Sequence, residues 1–130
     1  MTKKYLGIDL GNKKVGIAVE QNKIAMPYKI IERVKIIGEL KKLVKERNIT
    51  DIVVGLPFDL YGKDNTRLDK ANKFIKKLSD IFPDINIHGE DERFSSFEAD
   101  LSLNQIGKKD KEKIDDISAS LILGSFLEKN

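Results

Sequence analysis

The stretch YLGIDLGNKKVGIAV, Tyr5 to Val19, constrains the fold more than any other part of the chain. Leu6, Ile8 and Leu10 suit a strand covered on both faces, yet Asp9 stands among them. Gly11 and Asn12 turn the chain, and Val15, Ile17 and Val19 alternate as a second strand. An isolated carboxylate is costly to bury, so Asp9 needs a cation, a hydrogen-bond donor or a metal.

The chain has 130 residues, enough for one domain with a real core and too few for two. Hydrophobic residues make up 40% and charged residues 35%, as in a soluble globular protein rather than a disordered one. With no cysteine, disulfides, zinc–thiolate sites and thiol chemistry are excluded. The N-terminus lacks the apolar run of a signal peptide, and no segment approaches a membrane span. A cytoplasmic protein without a membrane partner is expected. A net charge of +3 and a pI near 9.0 permit a nucleic-acid partner without requiring one. Among 24 basic residues only Arg33, Arg47, Arg67 and Arg93 are arginines, and Arg93 directly follows the acid pair Asp91-Glu92.

Patterning predicts strands over residues 4–10, 15–20 and 24–31, joined by hairpin-sized turns. Val34, Ile37, Leu40 and Val44 then recur at helical spacing, ending near Asn48. The run DIVVGL over 51–56 reads as a central parallel strand. After a loop from Pro57 to Asn65, Leu68, Ala71, Phe74, Ile75 and Leu78 give a second amphipathic helix, stopped by Pro83. Residues 85–88 alternate as a fifth strand. Ser95 and Glu98 form a capping-box pattern for a third helix closed by Gly107. The lysine-rich connector GKKDKEK leads to a last helix over about 115–127. The order βββαβαβαα implies an α/β fold: a five-stranded mixed sheet, antiparallel meander plus parallel strands, with helices on its faces.

Acids fall at three separated points. Asp9 is near the end of the first strand, Asp91 and Glu92 follow the fifth, and Asp115 and Asp116 open the last helix. If that helix packs across the sheet they converge into an oxygen-rich site suited to magnesium or manganese. Each has a plainer reading. Asp9 could pair with a lysine, Asp91-Glu92-Arg93 could be a surface ion-pair cluster, and Asp115 could cap its helix. His88, the only histidine, reads as a packed or edge residue and is left out of the site.

Five stretches are similar, in order, to the YqgF family, also called RuvX-like or Holliday-junction-resolvase-like. They are Gly7-Ile8-Asp9-Leu10-Gly11; Lys13-Lys14 with Val15 to Val19; Val54-Gly55-Leu56-Pro57 with Gly62; Asp91-Glu92-Arg93-Phe94-Ser95-Ser96 with Glu98-Ala99; and Ile114-Asp115 with Ser118-Ala119 and Ile122-Leu123. The resemblance implies an RNase H-like fold and a nuclease that processes the 5′ end of pre-16S rRNA. A resolvase role on branched DNA is suggested by fold kinship. Two departures stand out. Lys13-Lys14 replaces the family's usual lysine–arginine pair, keeping charge but not a bidentate fork. Glu20-Gln21 stands where the family tends to carry Ser-Asp.

On this reading Asp9, Glu92 and Asp115 are the catalytic residues and hold Mg2+ or Mn2+, with Asp9 bridging. Two divalent ions about 3.5–4 Å apart can activate water, relieve phosphate charge and stabilise the leaving oxygen. Helical phase chooses Asp115 over Asp116, because Asp115 lies in line with Ala119, Ile122 and Phe126. Lys13 and Lys14 would position the nucleic-acid backbone, and Arg93 would contact a phosphate or orient the acids. Two rivals remain. An RNase H-like module could grip RNA or a transcription factor without cutting. The G-I-D-L-G turn also resembles the phosphate hairpin of actin, sugar-kinase and heat-shock ATPases, which clamp nucleotide between two domains where this chain has room for one. No apolar dimer stripe is evident, so a monomer is favoured.

Overall fold

Three antiparallel strands lead the chain: β1 (Tyr5–Leu10), β2 (Lys14–Gln21) and β3 (Ile24–Glu32). The computed structural model describes residues 2–58, 65–92 and 111–129, without the side chains of 111–116. Gly11 is needed in the first turn, because its N–H donates to the Lys14 carbonyl at 3.0 Å and a Cβ would collide with that same oxygen. The second turn uses Asn22 and Lys23, both at positive φ, the conformation a twisted two-residue hairpin demands. The Glu20 carboxylate accepts the Lys23 N–H at 3.2 Å, so Glu20 serves this turn.

After a 3₁₀ turn (Arg33–Lys35) come α1 (Ile36–Arg47), β4 (Asp51–Leu56), α2 (Thr66–Ile81), β5 (Asn86–Asp91) and α3 (Lys111–Lys129). The sheet order is β3-β2-β1-β4-β5, with β4 and β5 parallel to β1. The expected five-stranded mixed sheet is present. Leu6, Ile8, Val15, Ile17, Ile52 and Val54 point to one face and pack against Ile36, Leu40 and Leu43 of α1 and Phe74 and Leu78 of α2. Ala18 and Val53 point to the other, under Ala119, Ile122, Leu123 and Phe126 of α3. A Cβ on Gly7 would lie 2.7 Å from Leu123 Cβ and 3.1 Å from the Ala119 carbonyl oxygen, so α3 rests directly on the backbone of β1.

Three boundaries stand out against the sequence reading. Val34 is not on the apolar stripe of α1: it sits in the 3₁₀ turn, 91% exposed, and burial begins at Ile36. β5 continues through Gly89, Glu90 and Asp91, because these residues pair with Val54, Gly55 and Leu56 of β4. Of the acid pair, Asp91 therefore ends the strand and Glu92 lies just beyond it. The last helix starts at Lys111, inside the expected connector, whose lysines and glutamate are good helix formers. Asp115 and Asp116 are thus interior to α3, and the N-cap reading of Asp115 falls. The third helix expected from Ser95 to Gly107 lies outside the described residues. Among those described, no helix is long and apolar enough to cross a membrane.

Candidate active site

Register places Asp9 and Glu92 together. Asp9 shares its sheet face with Gly7, under α3, and is half-buried near the end of β1. Glu92 follows β5 directly, its backbone N–H donating to the Leu56 carbonyl at 3.1 Å. The Phe58 N–H donates to that same oxygen at 3.1 Å, so the exits of β4 and β5 are tied at one point.

The Glu92 side chain occupies a seat made by a missing side chain. A Cβ on Gly55 would sit 2.7 Å from Glu92 Oε2 and 2.5 Å from Ile122 Cδ1. The missing side chain of Gly55 thus leaves the space that this carboxylate fills against α3. Glu92 is only 13% exposed, and its pKa is pushed up to about 7. Burial is the largest cause, repulsion from Asp9 the next, and Asp91 adds to it. Arg67, in the first turn of α2, opposes the shift from 3.9 Å.

The direction of α3 is fixed by its contacts. Phe126 meets the Tyr5 ring at 5.9 Å, at the start of β1, whereas Ala119 and Leu123 cover Gly7. The helix runs antiparallel to β1. Position 115 lies one turn before Ala119, at the end that approaches the strand exits carrying Asp9 and Glu92. The side chain of Asp115 lies outside the described residues, and so does Arg93. Among the described residues no three carboxylates or histidines group as a metal site.

Lys13 and Lys14 are exposed at the β1–β2 turn beside Asp9, and Lys14 shares the Asp9 face through the Asp9–Gly16 pair. The Arg33 guanidinium donates to the Gly11 carbonyl at 3.0 Å and braces this turn. His88 is committed elsewhere, as expected: its Nε2 is 2.8 Å from Asp51 Oδ2 and its ring packs on Phe126 at 4.8 Å. Sequence reasoning singled out Gly55 within a motif without its role beside Glu92, and it missed Arg67 as part of this neighbourhood. An arginine in the first turn of a helix, in a chain built from lysine, was the available signal.

Two carboxylates that repel each other, one of them largely buried, form an oxygen-only donor pair. That suits a hard divalent cation. The RuvX family, described as Holliday junction resolvase, matches residues 3–129. The chain belongs to the RuvX family. A relative from Sulfurihydrogenibium sp. is 37% identical over 97% of this chain and 90% of its own length. One from Maridesulfovibrio salexigens is 34% identical over 97% and 98%. Both carry pre-16S rRNA nuclease in their names. The fold is similar to that of the Thermus thermophilus resolvase RuvC solved with a Holliday junction substrate (TM-score 0.62, 10% identity, 98% and 95% of the two chains). It is also similar to Ydc2, the yeast mitochondrial Holliday junction resolvase (TM-score 0.54, 12% identity, 97% and 78%). The expected family, RNase H-like fold and nuclease class hold for this RuvX protein.

Proposed function

We propose that this RuvX protein is a divalent-metal-dependent nuclease that cuts structured RNA, with the 5′ end of the 16S rRNA precursor as its substrate. The observation that carries the reading is the pair of repelling carboxylates, Asp9 and Glu92, held at the strand exits by Gly55 and α3. Asp9, Glu92 and Asp115 would hold Mg2+ or Mn2+, which supplies a metal-activated water and charge relief on the phosphate. Asp9 brings its carboxylate from the rigid centre of the sheet. Glu92 keeps its own in a partly dry seat where Coulombic forces are strong. Lys13 and Lys14 meet the nucleic-acid backbone on the adjoining turn and carry no sequence information. Arg93, next to Glu92 in sequence, contacts a phosphate or orients the acids.

The test is cleavage of a 5′-extended 16S precursor fragment and of a four-way DNA junction, with Mg2+ or Mn2+ and with chelator. Metal-dependent cutting of the RNA, lost in Asp9→Asn with the fold retained, supports the reading. Preferential cutting of the junction would instead make it a resolvase. Cutting that persists in excess chelator would exclude the assigned chemistry, and ATP turnover without cutting would return the nucleotide-clamp alternative.

A further inference from the structure

We propose that Arg67 binds a phosphate of the substrate at the mouth of the Asp9–Glu92 site; the inference rests on the nuclease reading above. The chain has four arginines against a background of lysine. Arg33 is bound to the Gly11 carbonyl, and Arg47 lies over the Tyr28 ring with its guanidinium carbon 4.7 Å from the centroid. Arg93 lies outside the described residues. Arg67 is the described arginine directed at a carboxylate of the site.

Its geometry is poor for a structural ion pair and good for a ligand. Nη2 stands 3.9 Å from Glu92 Oε1, beyond hydrogen-bond reach, so this contact occupies none of the guanidinium's donors. The arginine is 64% exposed and the glutamate 13%, which sets the guanidinium between the buried carboxylate and solvent. A nucleic-acid backbone approaching Glu92 from solvent meets Arg67 on the way. An exposed pair of this kind adds little to stability.

The position in the helix argues the same way. Thr66 opens α2 and Arg67 is its second residue, where the positive end of the helix dipole disfavours a cation. A residue that breaks a local rule beside a site is placed there for the site. Arginine rather than lysine fits a planar bidentate partner such as a phosphodiester. The guanidinium attends Glu92 loosely in the free protein and turns to phosphate once the charge on Glu92 is met.

The experiment is fluorescence anisotropy with a labelled 5′-extended RNA hairpin in Ca2+, over a salt series, for the parent, Arg67→Gln and Arg67→Lys. Mn2+ affinity is measured by calorimetry on the same proteins. Arg67→Gln is expected to weaken RNA binding about tenfold and make the salt slope shallower by about one, with Mn2+ affinity unchanged. Arg67→Lys is expected to keep the slope and recover part of the affinity. RNA affinity and slope equal to the parent in Arg67→Gln would overturn the inference and leave the nuclease reading standing. A fall in Mn2+ affinity that accounts for the whole loss of RNA binding would overturn it too, making Arg67 a positioning residue for Glu92. If the parent itself binds neither the RNA hairpin nor a four-way DNA junction, the nuclease reading fails and the inference with it.

Discussion

At the start of β4, Asp51 is 1% exposed, its two oxygens bonded to the Thr50 hydroxyl at 2.6 Å and His88 Nε2 at 2.8 Å. Just past β5, Glu92 lies on the same face of the same sheet, near the Asp9 and Asp91 carboxylates and an Arg67 guanidinium out of hydrogen-bond reach. Burial works to raise the pKa of both. For Asp51 the Thr50 and His88 hydrogen bonds outweigh it and hold the carboxyl below its ordinary range, whereas for Glu92 the Asp9 charge adds to it. One fold can satisfy a buried acid completely, so the raised pKa of the acid at the other end is a feature with a use. The first arrangement ties β4 to β5 and seats His88 against Phe126 of α3; the second is the one proposed to take a cation and a phosphate.

The largest stability effect is expected at the satisfied end. Asp51→Ala leaves His88 and Thr50 without their buried partner and should cost about 3 kcal/mol. Urea denaturation checks this, and Mn2+ affinity of the folded variant should match the parent. A loss of metal affinity there would merge the two regions and break the comparison.

Gly55→Ala tests the other end through shape alone. Its Cβ must displace Glu92 or Ile122, so a cost of about 1–3 kcal/mol is expected together with loss of metal binding. If Gly55→Ala binds Mn2+ as the parent does, the seat of Glu92 is not what positions it.

A smaller effect follows from acid. The folded pKa of Asp51 lies below its ordinary value of 3.8, so between the two the unfolded chain binds more protons than the folded one. The stabilisation is complete above the ordinary value and is lost as pH falls through the folded one. Acid titration of stability should therefore show the parent losing its advantage over Asp51→Asn in that window. A constant gap would remove the ionic part of the pair. Smallest of all, Val34→Lys should change stability by no more than about 0.5 kcal/mol, because Val34 faces solvent.

The parts of this protein legible in its sequence are those whose partners do not matter to the pattern. β1, β2 and β4 are apolar because they are covered, whichever helix covers them, and α2 shows its stripe directly. The Ala119, Ile122 and Phe126 line of α3 was readable for the same reason, and all three are buried. The end of β5 was not legible. Gly-Glu-Asp has no strand propensity, and Glu90 is buried only because Lys129 reaches it at 2.6 Å from the end of α3. Asp51 was similarly opaque, since its partner His88 is distant in sequence. At the site, the motifs pointed to Asp9 and Glu92, and the structure brings those two together. The seat formed by Gly55 and the approach of Arg67 arise from packing between β4, β5, α2 and α3, which no local spacing encodes.

The comparison is tested most directly by melting Glu92→Gln beside the parent at pH 8, first in chelator and then in Mn2+. Removing a charge that Asp9 repels is expected to leave the metal-free variant melting at or above the parent, while the Mn2+-induced rise in Tm expected of the parent disappears. A variant that melts well below the parent in chelator, or that keeps the full Mn2+ response, would contradict the account.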